Sequence, residues 1–121
     1  MPRVSWPPSV NWTQATVTPA NWSKTKVRAQ RKLVDLRFSS EAWEDYQHWL
    51  ASDRNVLRRL SAVIKDVRRS PFEGIGKPEP LKGDLSGWWA RRITDEHRLV
   101  YRVAGIEHEQ GLEIAACRFH Y

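Results

Sequence analysis

The sequence predicts an α+β domain: a helical hairpin packed on one face of a small, mostly antiparallel four-stranded sheet. Three observations carry this. A short alternating segment opens the ordered region, two helical periods follow it, and three further alternating segments close the chain. Such an order, strand, helix, helix, strand, strand, strand, buries both kinds of amphipathic face in two layers. At 121 residues the chain has room for one modest core.

Residues 1–33 read as a tail. They mix Pro, Ser, Thr, Asn and Trp without periodicity and turn basic from Lys24 to Lys32. Six of the 20 Lys/Arg lie here with no acid, so residues 34–121 are formally neutral despite a net charge of +6. The composition predicts a disordered extension or a mis-assigned start with translation beginning near Val34. Trp6, Trp12 and Trp22 among basic residues also suit an arm that stacks on bases and neutralises phosphates.

Residues 34–121 read as the folded domain. Val34–Phe38 alternates as a strand. Ser39 is a good N-cap, and Ala42, Trp43, Tyr46, Trp49 and Leu50 then recur at helical spacing. Asp53 can cap a second helix, whose stripe is Val56, Leu57, Leu60, Val63, Ile64 and Val67. Its other face carries Arg58, Arg59, Lys65, Asp66, Arg68 and Arg69, and Pro71 ends it. Residues 70–86 form a loop rich in Pro and Gly. Strands are expected over Trp88–Thr94, His97–Val103 and Leu112–Tyr121, with a short turn at Thr94-Asp95-Glu96 and a polar hairpin loop over 104–111.

Several function classes are excluded or disfavoured. No stretch approaches the roughly 20 apolar residues that span a bilayer, and no apolar leader begins the chain, so a cytoplasmic location without membrane association is expected. One cysteine permits no intramolecular disulfide, and Cys117 alternates within an apolar strand as a core residue would. The histidines at 48, 97, 108 and 120 lack metal-ligand spacing, so neither a metal nor a cofactor is expected.

The candidate chemistry lies at three places. Glu79 stands between Pro78 and Pro80, which restrict its backbone and lower the entropy of holding its carboxylate, with Lys77 and Lys82 nearby. Alternation places Arg98, Val100 and Arg102 on one strand face, and Arg118 with His120 on one face of the last strand. Arg91, Arg92, Arg98, Arg102, Arg118 and His120 all fall in three short strands, a local basic surface suited to RNA. The ordinary alternative is a solvated face whose arginines pair with carboxylates. The chain closes on His120-Tyr121. A carboxylate, arginines and a histidine are enough to cleave RNA, which carries its own nucleophile, the 2′-hydroxyl.

Several rare motifs occur in order: Trp43-Glu44-Asp45-Tyr46, Arg68-Arg69-Ser70-Pro71-Phe72-Glu73-Gly74, Gly76-Lys77-Pro78-Glu79-Pro80-Leu81-Lys82, Leu85-Ser86-Gly87-Trp88-Trp89-Ala90-Arg91-Arg92-Ile93-Thr94, Glu96-His97-Arg98-Leu99-Val100-Tyr101 and Ala115-Ala116-Cys117-Arg118-Phe119-His120-Tyr121. Over nearly all of 34–121 the chain resembles the YoeB toxins, RelE-like messenger-RNA interferases of bacterial toxin–antitoxin systems. The tail is foreign to that family, and the loop at 104–111 is a few residues longer than usual.

The resemblance implies a metal-independent endoribonuclease that cuts messenger RNA in the ribosomal A site and so inhibits translation. It also implies a YefM-like antitoxin that covers the active surface, contact with operator DNA through the antitoxin complex, and a tendency to homodimerise. By the same resemblance Glu79 is the general base, Arg98 the phosphate-stabilising arginine, His120 the general acid and Tyr121 the terminal aromatic. Lys82 and Arg92 match supporting, substrate-binding positions. Two alternatives remain open at this point. ParE-like toxins share the fold and act on DNA gyrase, which needs no Glu–Arg–His set, and a non-catalytic RNA-binding or antitoxin-sequestering module is the other.

Overall fold

A computed structural model of the chain describes residues 16–20, 35–105 and 110–119. Both helices begin at the expected caps. Helix α1 spans Ser40–Ser52, and the Ser39 hydroxyl accepts the Ala42 N–H at 3.0 Å. Helix α2 spans Arg54–Arg69, and the Asp53 carboxylate accepts from Asn55 and Val56. Each cap satisfies amide donors that the first turn leaves without an intrahelical partner. Leu60, Val63, Ile64 and Val67 are buried along α2 as their spacing predicts. No helix among the described residues is long and apolar enough to cross a membrane.

The inner face of α1 differs from its predicted stripe. Ala42, Asp45 and Trp49 are the buried positions, whereas Trp43 and Leu50 are about half exposed (51% and 45%). Asp45 turns inward because it has a partner: its carboxylate accepts the Cys117 N–H at 2.9 Å. Trp43 stacks on Tyr46 outside the core, with Phe38 edge-on to both rings.

Among the described residues the sheet has six strands rather than four. They are β1 Thr16–Val17, β2 Asp35–Phe38, β3 Glu79–Pro80, β4 Trp89–Arg92, β5 Arg98–Ala104 and β6 Gly111–Ala116. The order is β2-β6-β5-β4-β3, with β1 alongside β5. Only the β2–β6 pairing is parallel; the remaining pairs are antiparallel. The two additional strands have two residues each, too short to carry a period. Pro80 in β3 sits at the end of the strand order, where a missing N–H costs no internal ladder bond.

Leu99, Tyr101, Val103, Leu112 and Ile114 face the helices and pack with Trp49, Leu60, Val63 and Val67. A second buried cluster, Leu81, Trp88, Ala90, Val100, Ala115 and Ala116, lies on the other sheet face. Val17 joins the helix-side core at 4% exposure, opposite Val103. Val17 thus brings part of the segment read as a tail into the core; residues 1–15 and 21–34 lie outside the described residues.

The last strand is shorter than predicted. It ends at Ala116, because the backbone groups of Cys117 turn to α1: its N–H goes to Asp45 and its carbonyl accepts Trp49 Nε1–H at 2.9 Å. Alternation therefore no longer governs Arg118, and the expected strand continuation at His120 and Tyr121 lies outside the described residues.

Candidate active site

Three of the candidate residues, Glu79, Arg92 and Arg98, lie on the sheet face away from the helices. Glu79 stands opposite Ala90, Ala90 opposite Val100, and Arg92 opposite Arg98. Cross-strand partners share a face, so Glu79, Arg92 and Arg98 rise from the side that carries Ala90 and Val100. Strand spacing and rise put the Glu79 and Arg98 backbones about 12 Å apart. Two long side chains can converge across that gap on one ribose-phosphate unit. Between them on that face lie Ala90 and Val100, both buried in the second cluster.

Glu79 is exposed, and its strand is reached through a constrained loop. Lys77 adopts φ 51°, a left-handed conformation uncommon outside glycine. Gly76 beside it accepts the Arg92 N–H at 2.7 Å, and a Cβ at Gly76 would lie 2.9 Å from the Arg92 carbonyl oxygen. Lys82 is exposed at the N-cap of a single 3-10 turn, Gly83–Leu85.

Arg98 is half-buried at the start of β5. Its Nη1 donates to the carbonyls of Thr94, Asp95 and His97, at 2.8, 3.1 and 3.1 Å, and so closes the turn between β4 and β5. The Thr94 hydroxyl organises the same turn by accepting the Glu96 and His97 amides. An arginine has five N–H donors, so its Nε–Nη2 edge suits bidentate contact with phosphate. The Arg98 N–H donates to the Phe119 carbonyl at 3.1 Å, which brings the C-terminal segment to the site. The candidate residues His120 and Tyr121 lie outside the described residues.

The expected basic surface is smaller than the sequence suggests. Arg91 is fully buried on the helix side. Its Nη1 meets Asp66 Oδ2 at 2.6 Å and the Ile75 carbonyl at 3.1 Å; its Nη2 meets the Ser70 and Glu73 carbonyls; its Nε meets Tyr101 Oη at 3.1 Å. Tyr101 donates onward to the Pro71 carbonyl. Arg91 thus ties the loop after α2 to the sheet. Alternation with the second-face Ala90 places it inward, but only the folded chain supplies five acceptors for it.

Burial pushes Asp66 toward a higher pKa, but hydrogen bonds from Arg91 and the Ile75 amide outweigh it and hold the carboxyl below its ordinary value. Burial pushes the Tyr101 phenol up to about 12, against the opposing pull of Arg91.

Arg102 is likewise committed. It pairs with the fully buried Glu113 at 2.6 Å and stacks over Trp88, 4.5 Å from the ring centroid. Arg118 lies over the Phe119 ring at 4.4 Å. Arg92 and Arg98 remain as the strand arginines placed to meet a substrate beside Glu79. Cys117 is buried, as expected.

Comparison with known proteins bears on this arrangement. Residues 38–121 match the family model described as the YoeB-like toxin of bacterial type II toxin–antitoxin systems. The chain belongs to this family. Toxin YoeB of Escherichia coli (strain K12) is 55% identical over 88 residues, covering 73% of this chain and all of the relative. The solved YoeB/ParE toxin from Agrobacterium tumefaciens is 48% identical with a TM-score of 0.70, covering 73% of this chain and all of the other. The toxin of a YoeB–YefM complex from Staphylococcus aureus is 37% identical with a TM-score of 0.62, covering 73% and 98%. As a YoeB-family member the chain is a toxin of a type II system. The matched span contains Glu79, Lys82, Arg92, Arg98, His120 and Tyr121.

Proposed function

We propose that this toxin is a metal-independent endoribonuclease that cleaves messenger RNA in the ribosomal A site. The observation that carries the reading is the grouping of Glu79, Arg92 and Arg98 on one sheet face, with Phe119 bonded to the Arg98 backbone beside them. Family membership supports it independently.

In this mechanism the Glu79 carboxylate removes the proton of the 2′-hydroxyl, and the 2′-oxygen attacks the adjacent phosphorus. A carboxylate is a weak base toward an alcohol proton, so positioning by Pro78 and Pro80 and loss of water on substrate binding must compensate. Arg98 neutralises the charge that develops on the non-bridging oxygens. His120 in its protonated form gives its proton to the departing 5′-oxygen. The products carry a 2′,3′-cyclic or 3′-phosphate and a new 5′-hydroxyl. Tyr121 stacks on or orients the nucleotide, and Lys82 and Arg92 hold flanking phosphates.

The partner in this reading is a YefM-like antitoxin, by analogy with the S. aureus complex. It would cover the Glu79–Arg98 surface and connect the toxin to operator DNA. The place of action is the cytoplasm, where ribosomes translate. Residues 1–33 would add a basic arm to the family domain.

Incubation with translating ribosomes in EDTA tests the activity. Discrete messenger cleavage with 5′-hydroxyl ends is the expected result. Intact messenger together with blocked gyrase supercoiling would replace it with the ParE-like reading.

A further inference from the structure

We propose that His97 is a positioning residue for the chain's last two residues, acting through the backbone of Phe119. The proposal rests on the nuclease reading for its functional consequence, although the anchor itself is a structural feature. Phe119 is held at both of its backbone polar groups by two consecutive residues. Its N–H donates to His97 Nδ1 at 2.8 Å, and its carbonyl accepts the Arg98 N–H at 3.1 Å. His120 follows by a single peptide bond. The residue that precedes the candidate acid is therefore fixed relative to Arg98, the candidate phosphate ligand.

Three further observations make this an anchor rather than a passing contact. Phe119 has φ 66°, a conformation that a bulky non-glycine residue holds only where its surroundings impose it. The His97 ring is itself fixed, edge-on to Trp49 with centroids 4.7 Å apart, and Trp49 in turn binds the Cys117 carbonyl. The bond also selects a tautomer. Nδ1 can accept an amide proton only when it carries none, which leaves the ring proton on Nε2, the side facing Glu96 Oε1 at 3.9 Å. A histidine used only for packing would need its ring and not this acceptor.

Two substitutions separate those roles. His97→Phe keeps an aromatic ring against Trp49 and removes the acceptor. His97→Asn removes the ring and keeps an acceptor near the position of Nδ1. In the full chain, single-turnover messenger cleavage at saturating ribosomes should fall about 100-fold in His97→Phe, the scale expected when a reacting group is misplaced by about 1 Å. It should recover most of that loss in His97→Asn. Ribosome binding should change little in either.

Amide exchange at Phe119, followed by NMR without ribosomes, should accelerate in His97→Phe and stay slow in His97→Asn. Unchanged exchange in a folded His97→Phe, or equal impairment of both variants in exchange and cleavage, overturns the anchor. Should His97→Phe not fold, fast Phe119 exchange in a folded His97→Asn overturns it and slow exchange upholds it. A wild-type protein that cleaves no messenger overturns the nuclease reading instead, and the exchange measurement still decides the anchor.

Discussion

At the scale of the residue, the proposed chemistry assigns separate tasks to Glu79, Arg98 and His120. Glu79 is exposed, so Glu79→Ala should leave thermal stability nearly unchanged while cleavage collapses. His120→Gln should lower the cleavage rate by about 100- to 10,000-fold, the usual contribution of a general acid or base. Wild-type rates in purified His120→Gln would remove His120 from that role.

Asp66 makes a different prediction, about acid stability. Its carboxyl is held below the ordinary value of 3.8 in the fold, so the unfolded chain takes up its proton first as pH falls. The stabilisation is complete above the ordinary value and is lost as pH drops through the lowered one. Denaturant midpoints should therefore decline more steeply below about pH 4 in the wild type than in Asp66→Asn. Parallel curves would show that the Asp66–Arg91 pair carries none of the acid sensitivity.

At the scale of the element, the joints between helices and sheet carry the stability that places the site. Ser39 caps α1 and also donates its hydroxyl proton to the Ala115 carbonyl at 2.8 Å, joining the helix start to β6. Ser39→Ala should cost about 2 kcal/mol, and Asp53→Ala, which loses only an exposed cap, about 1 kcal/mol. Urea unfolding of the two variants tests the ordering.

The loop from α2 to β3 is the second joint. A Cβ at Gly74 would lie 2.0 Å from Asp66 Oδ2, and the backbone there has φ +135°. Gly74→Ala should destabilise the protein by more than about 1 kcal/mol and loosen the approach to Glu79. A Gly74→Ala protein with wild-type stability and cleavage would contradict this account of the loop.

At the scale of the whole molecule, the described part of the N-terminal extension pairs with β5 of the family domain. Thr16 and Val17 pair with Ala104 and Val103, and Val17 enters the core. A protein starting at Val34 should still fold and cleave, since the remaining core has its own helices and five strands. It should melt several degrees lower, because burying a Val contributes about 1.5–3 kcal/mol before ordering costs and domains of this size shift by about 4–8 °C per kcal/mol. Val17→Asp in the full chain should reproduce most of that shift. Equal melting temperatures in all three proteins would show that the contact adds no stability.

The sequence by itself determined the caps at Ser39 and Asp53, the α2 stripe and the four longer strands. Each is written in local spacing or in a compact motif, so neighbours along the chain suffice to specify it. Tertiary structure decided what distant partners control. Asp45 turned inward because the Cys117 amide lies across from it, Arg91 was buried because three segments converge their acceptors on it, and Arg102 was claimed by Glu113. The two-residue strands had no period to betray them, and β6 stopped at Ala116 because α1 offered its next residue better partners. Local pattern sets which face a side chain leaves from; hydrogen-bond partners far along the chain set whether a polar one is buried, paired or left to act.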